Sequence, residues 1–216
     1  MFGFPESTEM KKIVPKDDLL GRVRTLPALT ISQKATFNED ITQIIITNVV
    51  SPKEMSVAAG HHVKGFYVAR VAMKRKMFNP KNVETLLHRI GQKNILLALS
   101  FDGECCFALS YGEHVVIQDA WKNAADVSFA IQGIDLDVVW DGIVKQVAGD
   151  PWDSLLNVDA NLTKQEQIAA LQKEIMGLEK KARVEKQPAR KLELFNKLQD
   201  LKSQLTSLRV EGSKKF

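Results

Sequence analysis

At 216 residues, 44% of them hydrophobic, the chain is long enough for one sizeable core and an appendage, and one globular domain followed by one arm is expected. No apolar run is long enough to span a bilayer, and Met1-Phe2-Gly3-Phe4-Pro5-Glu6 lacks the basic start and apolar core of a signal peptide, so the expectation is a soluble cytoplasmic protein with no membrane association. The net charge of +4 hides a segregation: from Phe101 to Ala160 the cations besides His114 are Lys122 and Lys145 against eleven Asp and Glu, while the N-terminal third and the arm are basic.

Pro5 and Pro15 mark Met1 to Pro15 as an irregular opening, with Phe2, Phe4 and Ile13 free to tuck against the domain. Asp17-Asp18 starts a short helix carrying Leu19, Leu20 and Val23. Asn38-Glu39-Asp40 reads as a cap ahead of Ile41, Ile44, Ile45 and Val49, with a stop at Ser51-Pro52. The β-branched content there argues for a strand, but the cap and the proline stop favour a helix. Val63 to Lys74 alternates as an interior strand with apolar groups on both faces. Asn79-Pro80 caps a helix with the stripe Val83, Leu86, Leu87 and Ile90, ended by Gly91. Ile95 to Leu99 is a central strand, and Asp102-Gly103 turns it into a second strand from Cys105 to Ser110. Val115 to Ile117 is a further strand, and Val127, Phe129 and Ile131 form another. Asp135 caps a helix with the stripe Leu136, Val139, Trp140, Ile143 and Val147, closed by Gly149-Asp150-Pro151. This pattern is α+β: a mostly antiparallel sheet with packed helices.

The expected boundaries are a globular domain over 1–151, a linker over 152–163, an arm over 164–210 whose first helix is capped by Thr163, and a tail over 211–216. In the arm Ile168, Leu171, Ile175 and Leu178 alternate steps of three and four, and Leu194, Leu198, Leu201, Leu205 and Leu208 repeat the pattern. Extending the first register through Ala182 and Glu185 lands on Ala189, Leu192 and Asn196, two residues out of step with the second seam. One straight helix therefore cannot present both seams to one surface. Pro188 suits the first turn of a new helix, which favours an antiparallel hairpin, with a kinked continuous helix as the alternative.

Catalytic constellations are sought and not found. The order of elements from Phe37 to Leu99 loosely matches a restriction-type nuclease core, with Lys64 and Lys74 present, but the strand that should carry metal-binding acids has none between Glu54 and Glu84. His61-His62 lacks a third ligand at metal-site spacing and reads as two loop histidines. Cys105 and Cys106 are adjacent, which disfavours a disulfide and suits a reducing compartment; on an apolar strand they read as small hydrophobes. Asp102 and Glu104 flank a turn and read as solvated. Trp121 and Lys122, after Asp119, mark a small surface site or a packed strand end. No phosphate-binding glycine loop or nucleophile elbow occurs. No catalytic residue, cofactor or metal ligand is assigned.

The opening Phe2-Gly3-Phe4-Pro5, the Pro15-Lys16 pair, the run Gly133-Ile134-Asp135-Leu136-Asp137 with Val144 to Val147, and Glu185-Lys186-Gln187 with Arg190-Lys191 together resemble an uncharacterised bacterial family, the domain of unknown function four-three-nine-one, over nearly the full length. Members are commonly encoded beside DNA methyltransferases and helicases in restriction-like, anti-phage operons. The resemblance thus implies an accessory protein of a DNA-processing or defence system, and it brings no catalytic residues. On this reading the leading expectation is a non-catalytic adaptor whose partner-binding residues are Glu185, Lys186, Gln187, Arg190, Lys191, Leu194, Leu198, Leu201 and Leu205. Its partner would be a helicase, a DNA methyltransferase or a second copy of the chain. The alternative is a nucleic-acid-binding module using Lys74, Arg75, Lys76, Lys180, Lys181 and Arg183, and the third reading is an enzyme of unrecognised class using His61, His62 or the Asp102 to Cys106 region.

Overall fold

A computed structural model describes residues 2–23, 25–118 and 120–210; Met1, Asp119 and the expected tail at 211–216 lie outside the described residues. The chain divides into two compact units, Met1–Gly149 and Asp150–Phe216.

The first unit is a mixed sheet in the order β1 (Glu9–Val14), β2 (Ile41–Val50), β3 (Phe66–Met73), β4 (Ile95–Phe101), β5 (Glu104–Tyr111), β6 (His114–Ile117), with the two-residue β7 (Lys122–Asn123) also on β5. Every neighbouring pair is antiparallel except β3 and β4. That parallel pair is joined by helix α4 (Pro80–Ile90), as a parallel connection requires. Asp102 (φ 46°) and Gly103 (φ 79°) make the tight turn between β4 and β5, where both central residues need positive φ.

Two expectations fail in the N-terminal part. Ile41 to Val50 is a strand, not a helix, because eight of its ten residues are β-branched and pair along their length with β3. The helix lies just before it, as α2 (Ile31–Asp40). Its start is Thr30, whose hydroxyl accepts from the Gln33 amide while the Gln33 side chain accepts from the Thr30 amide, the reciprocal capping box. The opening is not irregular either, since Glu9–Val14 forms an edge strand on β2. There Ile13 points to solvent at 55% exposure. Helix α1 (Lys16–Leu20) stops short of Val23. The segment around Val127 to Ile131 is no strand, although Phe129 is buried.

Both faces of the sheet are covered. On one, Leu19 and Leu20 of α1, Phe37 of α2 and Leu86 of α4 pack on Ile44, Val71, Leu97 and Cys106. Arg89 holds this layer together from within: its buried guanidinium donates to the carbonyls of Leu19, Gly21 and Pro27. On the other, six rings run from Phe2 through Phe107, Phe129, Phe4 and Phe66 to Trp140, with centroids 4.9–6.1 Å apart. Trp140 comes from α5 (Leu136–Ala148), whose cap Asp135 accepts from the Val138 amide. Gly3 between the first two phenylalanines has φ 82°, and a Cβ there would stand 2.8 Å from the Phe129 carbonyl. The opening aromatic pair is therefore one wall of this second core.

The second unit is a helical arm of α6 (Val158–Val184) and α7 (Pro188–Val210). α6 begins at Val158 with Asn157 as its cap, so Thr163 is an interior residue. Asn161 fixes the approach: its amide donates to the carbonyls of Asp153, Leu156 and Asn157, and its oxygen accepts from the Asp153 amide.

Candidate functional site

Within the arm, Ile175 and Leu178 of α6 meet Leu198 and Leu201 of α7, flanked by Leu171, Ala182, Leu194 and Leu205. Two helices sharing a seam and joined through Glu185–Gln187 alone run antiparallel. The hairpin is thus the form adopted, and α7 starts at Pro188 as the register offset requires. Ion pairs brace the seam: Lys197 to Glu174 at 2.9 Å and Lys202 to Glu179 at 2.7 Å. The bond from Lys202 holds the Glu179 carboxyl below its ordinary range.

The predicted partner-binding residues separate into two sets. Leu194, Leu198, Leu201 and Leu205 line the inside of the hairpin, with Leu198 and Leu201 buried. Lys186, Gln187, Arg190 and Lys191 are exposed around the joint between the helices, beside the half-buried Glu185, whose carboxylate accepts from the Gln187 amide at 2.8 Å. Lys180, Lys181 and Arg183 are exposed on the last turns of α6, so one end of the arm gathers six cations. Apolar side chains also lie outside the seam: Met176, Val184, Leu192 and Phe195 are each more than half exposed. A groove along α7 runs from Phe195 past Leu198, Gln199 and Lys202 to Ser203 and Thr206. The alternation of threes and fours marked the inner stripe; the outer residues carry only their exposure as a signal, which a sequence does not display.

In the first unit the basic triplet is mostly engaged. Arg75 donates to Asp40 at 2.7 Å and approaches Glu39, Lys76 pairs with Glu104, and Lys74 is exposed. Asp40 is fully buried and also accepts from the Asn79 amide at 2.8 Å and the Asn82 side chain at 2.6 Å. Burial pushes its carboxyl up, but the Asn79, Arg75 and Asn82 bonds outweigh this and hold it below the ordinary range.

His61 and His62 are exposed, and their backbone amides, with that of Val63, all donate to Asp137 at 2.6–3.1 Å. Successive amides of this kind form an anion-binding nest, filled here by the chain's own carboxylate. Those bonds hold Asp137 below its ordinary range against desolvation. Gly60 is required beside it, since a Cβ would fall 2.1 Å from an Asp137 oxygen. Cys105 and Cys106 are both buried, and burial pushes the Cys105 thiol up despite Lys122 nearby, which makes a nucleophile there unreactive. Desolvation likewise raises Asp141, against a bond from Tyr111. Asp102 is exposed at its turn and Glu104 is paired with Lys76. Lys64 bonds the Gly60 carbonyl, and Trp121 packs edge-on against Phe78. Among the described residues no three His, Cys, Asp or Glu side chains converge to hold a metal ion, and no helix is long and apolar enough to cross a membrane.

A family model described as Domain of unknown function (DUF4391) matches residues 2–205. The chain belongs to this family. No curated protein and no solved structure gives a significant match. Within this DUF4391 chain, most of the stretches quoted above for the resemblance have architectural work: Phe2 and Phe4 wall the aromatic core, Lys16 bonds Asn38 and the Ile41 carbonyl, and Asp135 caps α5 while Asp137 fills the amide nest. Val144 and Val147 are core residues of α5. The stretch Glu185-Lys186-Gln187 with Arg190-Lys191 is different, being largely exposed and packed into neither core cluster.

Proposed function

We propose that the protein is a non-catalytic adaptor of a bacterial DNA-processing or anti-phage defence system, acting through protein contacts made by the arm. The observation that carries this reading is the helix joint. There the family-like residues Lys186, Gln187, Arg190 and Lys191 stand exposed, without the packing role that explains the other stretches. The leucines of the seam contribute by building the hairpin that presents this joint. The joint's cations suit an acidic surface on the partner, and the operon context implied by the family likeness makes a helicase or DNA methyltransferase encoded nearby the first candidate.

The test is co-purification of such a neighbour with the full chain and with a Lys186→Glu, Arg190→Glu, Lys191→Glu variant. Loss of association with unchanged helicity supports the adaptor; retention by the triple variant would overturn contact through the joint.

The cluster of six cations also favours a second reading, direct nucleic-acid binding by the same end of the arm. It predicts duplex binding that weakens steeply as salt rises, because phosphate contacts release counterions. Binding independent of salt removes it.

A further inference from the structure

A two-helix hairpin buries one stripe from each helix, which is half of what a four-helix bundle buries. On α7 a second stripe lies outside the seam: Leu192, Phe195, Gln199, Ser203 and Thr206 follow in steps of three, four, four and three, so they share a face. Leu192 and Phe195 are 62% and 63% exposed at one end of this stripe. The groove beyond Phe195 is floored by Gln199, Ser203 and Thr206, whose short or unbranched side chains leave room for a ring.

We infer that a second copy of this chain packs along that stripe, α7 against α7 and antiparallel, about a two-fold axis near Gln199. Four residues separate Phe195 from Gln199 and four separate Gln199 from Ser203. Such an axis therefore sets the Phe195 ring of each copy beside Ser203 of the other, inside the groove, and satisfies both rings with one self-complementary patch.

Charge chooses the direction. Residues 180–191 carry six Lys and Arg against the single Glu185, whereas residues 150–167 carry Asp150, Asp153, Asp159 and Glu166 against the single Lys164. Parallel arms would stack the two cationic ends. Antiparallel arms bring each cationic end toward the partner's acidic one, and Arg209 near that end does not cancel the difference. Size agrees: a helix of 23 residues is about 35 Å long, so a hairpin face about 20 Å wide offers about 700 Å² per copy, close to the roughly 800 Å² of a standard interface.

This inference rests on the reading of the arm as a contact element, but it concerns the flank of α7 and not the joint, so the purified chain tests it without any other protein. The full chain is expected to sediment as a dimer, and Phe195→Asp to weaken association by about 30-fold or more with its circular dichroism unchanged. Gln199→Cys should give disulfide-linked dimers on mild oxidation. Lys197→Cys, on the opposite flank of α7, should not, and the native thiols are buried. A monomer at concentrations up to about 100 µM would overturn the inference, as would equal cross-linking by the two cysteine variants. The adaptor reading would survive either result, because what overturns it is retention of the partner by the Lys186→Glu, Arg190→Glu, Lys191→Glu variant.

Discussion

The two units solve the burial problem differently. The first covers both faces of its sheet, so β4 is apolar from Ile95 to Leu99 without a break and every one of those residues is fully buried. In the arm the cluster shared by the two helices, Ile175, Leu178, Leu198 and Leu201, keeps 7–8% exposure, and Phe195 and Leu192 lie outside it. The first unit, with two closed cores, still exposes apolar residues on separate elements, Ile13 on β1 and Ile31 at the start of α2 among them. The arm, with one open flank, gathers Leu192 and Phe195 on one face of one helix and so has surface left for a partner.

The comparison can be broken from either side. The largest effect is expected at Trp140, where Trp140→Ala removes the end of the aromatic chain and should cost about 3–5 kcal/mol. Chemical denaturation would measure it, and a cost under 1 kcal/mol would mean that the second core is not closed. Asp40→Ala should cost about 2–4 kcal/mol, because Arg75, Asn79 and Asn82 lose a shared buried acceptor.

The same carboxylate gives a pH signature. Its folded-state pKa lies below its unfolded value, so its contribution is present above about pH 4 and is lost as pH falls through the lowered folded value. The stability difference between the wild type and Asp40→Asn should therefore shrink on acidification below pH 4; a constant gap would contradict the assignment.

In the arm, Leu198→Ala should cost about 2 kcal/mol, at the low end for a leucine because the site is near the surface. Amide exchange should rise across α6 and α7 and leave β3 to β5 protected. Loss of protection in both units together would mean that they unfold as one. The smallest effect belongs to the arm's ion pairs: Lys197→Ala should change stability by no more than about 0.5 kcal/mol, as exposed pairs do, and a larger loss in thermal melts would show that the pairs and not the seam hold the hairpin.

Much of this was legible in the residues. Asn79, Pro80 and Gly91 act locally, and the helix they bound is the one formed. Asp102-Gly103 likewise states its turn by its own backbone preference, and the register offset at Pro188 states the hairpin. The errors fall where two local signals compete. Asn38-Glu39-Asp40 has the composition of a helix start, but Asp40 is the last residue of α2 and its carboxylate is committed to Arg75 and Asn82 from distant parts of the chain. The strand after it was chosen by pairing with β3, which no local window contains.

Of the candidate site, the charged joint was readable because a run of cations needs no partner to be seen. Whether the leucines faced inward or outward was not, since a heptad stripe has the same spacing in a hairpin seam and in a binding face.

By itself, then, the sequence determined the elements with strong ends, the α+β pattern and the break at Pro188, because caps, turns and prolines act through the backbone within a few residues. The tertiary structure alone decided that Ile41 to Val50 is a strand, that Asp137 closes on the amides of His61 to Val63, and that Phe195 is left outside while Leu198 is enclosed. Each of those depends on which distant surface comes to lie against a side chain, and burial of that kind is a property of the folded pair and not of either stretch.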